Sequence, residues 1–152
     1  GRSAGGQIGL MTAYQNPDPG LRGVIAYYAP TDLKFGYDHA QSNDVLDSRT
    51  LMKNYLGGVP AEKGEMYASA SPLFFARRNS VPTLLIHGLD DPLVWFRHSE
   101  RLSARLENEG AIFASLPIPG ATHGMDYRPS SPYGQIVKRA TLTFLGRYSE
   151  FK

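Results

Sequence analysis

Three short, nearly unbroken apolar runs, each closed by a polar loop, constrain this chain more than any other feature. They are Gly23-Val24-Ile25-Ala26-Tyr27-Tyr28-Ala29, Val81-Pro82-Thr83-Leu84-Leu85-Ile86, and the stretch Ala111 to Leu116. A strand with one wet face alternates apolar and polar residues, whereas a continuous run suits a strand buried on both faces of a parallel sheet. Helical patterns lie between the runs. One spans about Val45 to Leu56, with Leu51, Tyr55 and Met52 as its buried side and Gly57-Gly58 as its stop; a shorter one covers Glu62 to Ala68. Another runs from Ser99, a plausible N-cap, to Glu109, with Leu102 and Leu106 one turn apart and Gly110 ending it. The last spans Tyr133 to Tyr148, with Ile136, Val137, Ala140, Phe144 and Leu145 as its packing face. Strand and helix in alternation predict parallel βα units with right-handed crossovers, hence an α/β fold with a doubly wound parallel sheet and flanking helices.

Ahead of the first run stands Gly1-Arg2-Ser3-Ala4-Gly5-Gly6, a complete Gly-x-Ser-x-Gly turn that passes at once into a helical pattern. Such a turn joins a strand to a helix on a strained backbone that lifts the serine hydroxyl clear of the sheet, and flanking glycines are expected where a Cβ would clash. Ala4, Ile8 and Met11 give the helix an apolar stripe. The cluster Pro17-Asp18-Pro19-Gly20 ends it. Between the first and second runs the chain takes about fifty residues, long for a crossover, so positions 33–80 read as a cap-like helical excursion over the strand ends.

A lone Gly-x-Ser-x-Gly also describes a glycine-rich turn with an incidental serine, so partners elsewhere must decide its meaning. Serine becomes a nucleophile when a histidine takes its proton and a buried carboxylate holds that histidine; after a turn of this type the order is Ser, then Asp or Glu, then His. Ser3, Asp91 and His123 have that order, and the last two follow the second and third runs, at strand ends where parallel sheets place their chemistry. The backbone N–H of Ala4 would then donate to a developing oxyanion.

Composition closes off other classes. A net charge of +2, with basic residues scattered apart from Arg77-Arg78 and Lys138-Arg139, gives no footprint for nucleic acid. No cysteine is present, which removes disulfides, thiol nucleophiles and zinc-thiolate sites and suits either redox compartment. The four histidines show no metal-ligand spacing, and neither metal nor cofactor is implied. No apolar run approaches the ~20 residues of a spanning helix.

With these landmarks the chain resembles the α/β-hydrolases, in particular bacterial carboxylesterase-like members with a Gly-x-Ser-Ala-Gly-Gly turn. The resemblance rests on Gly1 to Gly6, Tyr28-Ala29-Pro30-Thr31-Asp32, His87-Gly88-Leu89-Asp90-Asp91-Pro92-Leu93-Val94 and Thr122-His123-Gly124. It implies a Ser3–Asp91–His123 triad that cleaves esters of small or medium acyl chains through an acyl-enzyme. The prolyl-oligopeptidase kind of serine peptidase shares the same landmarks, and a non-catalytic binding module shares the fold. Asp90 and Asp32 remain rivals for the acid, the latter with helix capping as its alternative role. His87 reads as a structural histidine bonded to a neighbouring loop, and His39 and His98 as surface residues, His39 with a chance of lining a cleft. Tyr27, Tyr28, Phe35, Tyr37 and Trp95 read as core and cleft walls. The chain resembles the C-terminal part of a single hydrolase domain, residues 1–152, lacking the early strands and the His-Gly-Gly-type loop that supplies a second oxyanion donor. By itself it is therefore expected to hold Ser3 on a mobile terminus, to be inactive, and to self-associate through an unpaired edge unless the N-terminal half is supplied.

Overall fold

A computed structural model of the chain describes residues 1–16, 18–41 and 44–148; Pro17, which the sequence assigns to the turn after the first helix, lies outside them. The element order is α1 (Ala4–Gln15), β1 (Val24–Tyr27), α2 (Leu33–His39), α3 (Ser48–Leu56), α4 (Pro60–Ser69), a 3-10 turn (Pro72–Phe74), β2 (Thr83–Gly88), α5 (Arg97–Glu109), β3 (Phe113–Ile118) and α6 (Pro132–Tyr148). The strands form a parallel sheet in the order β1-β2-β3, with Val24 opposite Thr83 and Thr83 opposite Phe113. That common register delivers the loops after all three strands to one edge.

Strand alternation sorts the core into two layers. Ala26 and Leu85 face the layer of α1 and α5 with Leu10, Ala13, Leu102 and Leu106, while Leu84, Ile86 and Ile118 face the layer of α6 with Val137 and Phe144. The central β2 is buried along its whole length. Each fully buried Leu or Ile there contributes roughly 2 kcal/mol relative to exposure.

Both β2 and β3 start two residues later than their apolar runs. Pro82 has no N–H to donate, and its carbonyl accepts from Val24 N–H at 2.9 Å, so the ladder proper begins at Thr83. The buried face of α1 is Gly6, Gln7, Leu10, Ala13 and Tyr14, while Ala4 is exposed and Ile8 is 58% exposed. Glycine chooses this face: a Cβ on Gly6 would stand 2.8 Å from the Ala29 Cβ, so the helix approaches the sheet where its side chain is smallest. A pattern of large apolar residues cannot register that.

Other helix faces differ as well. Leu51 and Tyr55 of α3 are exposed and Leu56 is its buried residue; Val137 and Phe144 of α6 are buried, but Ile136 and Leu145 are largely exposed. Helix α2 arises where the sequence shows a polar, aromatic stretch, because Asp32 caps it by accepting from Phe35 N–H at 3.0 Å. The excursion between β1 and β2 has its own small core of Leu33, Leu56 and Tyr67. Gly57 and Gly110 end α3 and α5 in left-handed conformation, as the sequence predicts.

His98 is buried rather than on the surface. Helix α5 starts at Arg97, so His98 and Ser99 fall on its inner face, and Ser99 bonds His87 instead of capping. The His98 Nδ1 accepts from the backbone N–H groups of Thr31 and Asp32 at 3.2 and 3.4 Å, and Thr31 Oγ1 donates to the His98 carbonyl at 2.7 Å. Burial, reinforced by the neighbouring His87, lowers its pKa from 6.5 to about 4. The folded state therefore holds a neutral ring that the unfolded chain protonates first. The resulting stability, roughly 3 kcal/mol, is complete above pH 6.5 and is lost as pH falls from 6.5 toward 4. Thermal melts across that window should show a steep acid decline that His98→Gln, which keeps an acceptor, flattens; parallel declines in parent and variant would remove His98 as the cause.

Candidate active site

The three strand-end loops converge on one row of side chains. Gly1 to Ser3 run along the outer edge of β1: the Gly1 amine donates to Ile25 O at 2.9 Å, Tyr27 N–H to Gly1 O at 3.0 Å, and Ser3 N–H to Tyr27 O at 2.9 Å. Ser3 is thus tied to the sheet, in contrast to the mobile terminus expected from the sequence, because β1 offers its edge donors and acceptors to these residues. The chain then turns sharply, with Ser3 at φ 49° and ψ −124°, a sparsely populated region for a residue with a side chain. A Cβ on Gly1 would fall 2.2 Å from Gly5 O, so the first glycine is required, while Gly5 has open space around it and the close approach belongs to Gly6.

His123 stands in the loop after β3, between Gly120 and Gly124, both at positive φ. Its Nε2 lies 3.2 Å from Ser3 Oγ, and its Nδ1 donates to Asp91 Oδ2 at 2.7 Å. Asp91 comes from the loop after β2, and its carboxylate is wholly buried. Asp91 Oδ1 accepts the backbone N–H groups of Leu93 and Val94, each at 2.9 Å, and His87 Nε2 lies 3.4 Å from Oδ2. Burial alone would raise the Asp91 pKa, but the hydrogen bonds from His123, His87 and Val94 outweigh it and hold the carboxyl well below the usual carboxylate range. The row therefore couples an ionised acid, an imidazole and a hydroxyl. The Ala4 N–H beside it is the first amide of α1, a position without an intrahelical acceptor.

The rival acids stand elsewhere. Asp90 is exposed, and Asp32 caps α2 and pairs with Arg101 at 2.7 Å. His87 is structural in the sense expected: its Nε2 bonds Val94 O and its Nδ1 bonds Ser99 Oγ, each at 2.7 Å, which clamps the loop that carries Asp91. Among the described residues no cluster of His, Cys, Asp or Glu suits a metal. No helix among them is long and apolar enough to cross a membrane.

A cavity of about 170 Å³ opens beside Ser3 and Ala4, walled by Leu33 and Phe35 of α2, Met52 of α3, and Leu93, Val94 and Trp95 of the loop after β2. Among the described residues its lining carries no Asp, Glu, Lys or Arg, and His39 and His98 are its titratable groups. Sequence reasoning missed a second group of polar residues. Asp126, buried, accepts from Tyr28 Oη at 2.7 Å and pairs with Arg2 Nε. Its partners lie 98 and 124 positions away, so no local pattern could announce it.

Comparison with known proteins places this geometry. The BD-FAE family model matches residues 1–106. The chain is 30% identical over 141 residues to the uncharacterized peptidase YtmA of Bacillus subtilis (strain 168), covering 93% of this chain and 51% of that protein. It is 25% identical over 139 residues to esterase LipQ of Mycobacterium tuberculosis, covering 90% of this chain and 32% of that one. Its backbone matches that of an acylaminoacyl peptidase solved with Z-Gly-Gly-Phe-chloromethyl ketone at a TM-score of 0.83 and 21% identity, over 100% of this chain and 24% of the peptidase. That likeness shows the α/β-hydrolase fold. The chain thus spans about half the length of one curated relative and a third of the other, and the relatives are esterases and peptidases alike.

Asp91 and its buried rival Asp32 are separable by labelling with a fluorophosphonate, which reacts with activated serines. Asp91→Asn should slow labelling on the order of 10⁴-fold through the wrong histidine tautomer. Asp32→Asn should label at nearly the parental rate. The reverse ranking would move the acid to Asp32.

Proposed function

The chain belongs to the BD-FAE family, of the α/β-hydrolase type, and we propose that it carries the catalytic centre of a serine hydrolase that cleaves carboxylic esters of small to medium acyl chains. The observation that carries this reading is the row from Asp91 through His123 to Ser3, with bonds of 2.7 and 3.2 Å in the order that activates a hydroxyl. In this reading Ser3 Oγ attacks the ester carbonyl carbon as its proton passes to His123 Nε2. The carbonyl oxygen becomes an oxyanion that accepts from Ala4 N–H. Collapse of the tetrahedral species breaks the bond to the alkoxy oxygen, which leaves as the alcohol with the proton from His123. Water, deprotonated by the same nitrogen, then attacks the acyl carbon; the acid departs and Ser3 recovers its proton. Asp91 holds the Nδ1–H throughout and stabilises the imidazolium formed in both halves. No cofactor enters these steps.

The cavity beside Ser3 supports an uncharged acyl group, since a charged one would lose its hydration among apolar walls without an ion partner. The excursion at 33–80 supplies two of those walls, which supports its role as a cap over the site. A peptidase of the prolyl-oligopeptidase kind is the second reading, favoured by the likeness to YtmA.

Full-length protein assayed in parallel on p-nitrophenyl acetate and an aminoacyl-proline amide should favour the ester. A faster amide reaction would select the peptidase reading. In either assay Ser3→Ala should lower kcat by about 10⁴- to 10⁶-fold. A Ser3→Ala enzyme with more than roughly a tenth of parental activity would remove the nucleophile assignment altogether.

A further inference from the structure

Tyr28 follows the last residue of β1 and has φ 39°, in the left-handed region although it carries a large side chain. Such a conformation costs about 1–3 kcal/mol and persists only where its surroundings enforce it. The consequence is visible in the packing. Strand alternation would send Tyr27 and Tyr28 to opposite faces, yet both join the same layer of the core with Ile118, Met125 and Val137. The irregular turn thus carries the Tyr28 ring under His123, with centroids 4.4 Å apart. Tyr28 is fully buried, and its hydroxyl donates to Asp126 Oδ1 at 2.7 Å. Burial raises the phenol pKa far above its ordinary value, and the bond to Asp126 raises it further, so the donor keeps its proton.

Asp126 sits three residues after His123 in the same loop. Its other oxygen pairs with Arg2 Nε, and the Arg2 guanidinium also lies 5.4 Å from the centre of the Tyr27 ring. Arg2 is the residue immediately before Ser3. One buried carboxylate therefore joins the turn that carries Ser3, the strand end beside it and the loop that carries His123. Asp91 anchors His123 from the opposite side, by its Nδ1.

We propose that Arg2, Tyr28 and Asp126 form a positioning clasp that sets the separation of His123 Nε2 from Ser3 Oγ. The proposal rests on the serine-hydrolase reading above, because only a proton transfer makes that separation decisive. Without the clasp, the 120s loop keeps its attachment to the loop after β2 through Asp90 N–H and Ala121 O at 3.1 Å but loses the tie of Asp126 to the serine turn. A displacement on the order of 1 Å between reacting groups costs about 10²-fold in rate.

The test uses full-length protein, p-nitrophenyl acetate kinetics and the NMR resonances of the His123 ring. Tyr28→Phe and Asp126→Asn should each lower kcat about 10- to 100-fold with KM within about twofold. Arg2→Lys should recover most of what Arg2→Met loses, and Arg2→Met combined with Asp126→Asn should be no slower than Asp126→Asn alone, as for residues acting through one contact. The His123 Nδ1–H resonance should broaden in the same variants. The proposal is overturned if Tyr28→Phe and Asp126→Asn keep parental kcat, if the Arg2 and Asp126 effects multiply, or if the His123 resonances do not change. Should Asp126→Asn fail to fold, Tyr28→Phe, which keeps the ring, decides alone. Should Ser3→Ala remain active, the hydrolase reading fails, and the His123 resonances still decide whether the clasp positions that ring.

Discussion

A buried carboxylate is the constraint on which the site depends. Moving Asp91 out of water costs several kcal/mol unless other donors replace its hydration. Here the replacement comes from the chain itself: two backbone amides of its own loop, with the rings of His87 and His123 beside the second oxygen. Those donors are fixed in turn. His87 belongs to β2 and is held by Ser99 of α5 and the Val94 carbonyl, so the orientation of the acid is determined by the packing of a helix against the central strand. The charge that orients His123 is therefore supported from below by the sheet.

The fold was legible wherever a residue's own chemistry decides its place. Continuous apolar runs announced a parallel sheet; glycines announced the ends of α3 and α5; and Ser3, Asp91 and His123, read from order and position, meet in space at 2.7 and 3.2 Å. The misreadings share one cause, which is that a partner distant in sequence decided. The face of α1 was chosen by the fit of Gly6 against Ala29, not by Ile8. His98 was drawn inside by two backbone N–H groups of the loop after β1. Asp126 left no trace because its two partners come from other strand-end segments.

The strained residues cluster where the elements meet. Among the described residues, Ser3, Tyr28 and Asp47 are the non-glycine positions at positive φ. Ser3 and Tyr28 belong to the segments that converge on His123, one at its Nε2 and one against its ring face. Asp47 differs in kind: it caps α3 and accepts from Thr50 N–H, an ordinary use of a short acidic side chain. Backbone strain at the first two positions is offset by contacts that also fix the proposed base, so stability and geometry are supplied by the same bonds.

In the proposed reading, the row of Asp91, His123 and Ser3 would serve acyl transfer from an ester or from an amide, because the attack on the carbonyl and the oxyanion are common to both. What would separate them is the leaving group: an alkoxy oxygen is the better one, and an amine depends more fully on the proton from His123 as the bond breaks. In that reading the cavity beside Ser3, whose described lining residues include no Asp, Glu, Lys or Arg, would select by shape rather than by charge. Much of its wall, Leu33, Phe35, Leu51 and Met52 included, belongs to the excursion between β1 and β2. These residues are held by helix caps and a small separate core rather than by the sheet. If the proposed reading holds, specificity would change through α2 and α3 while the sheet keeps the row of Asp91, His123 and Ser3 in place, which is how one fold can serve esterases and peptidases alike.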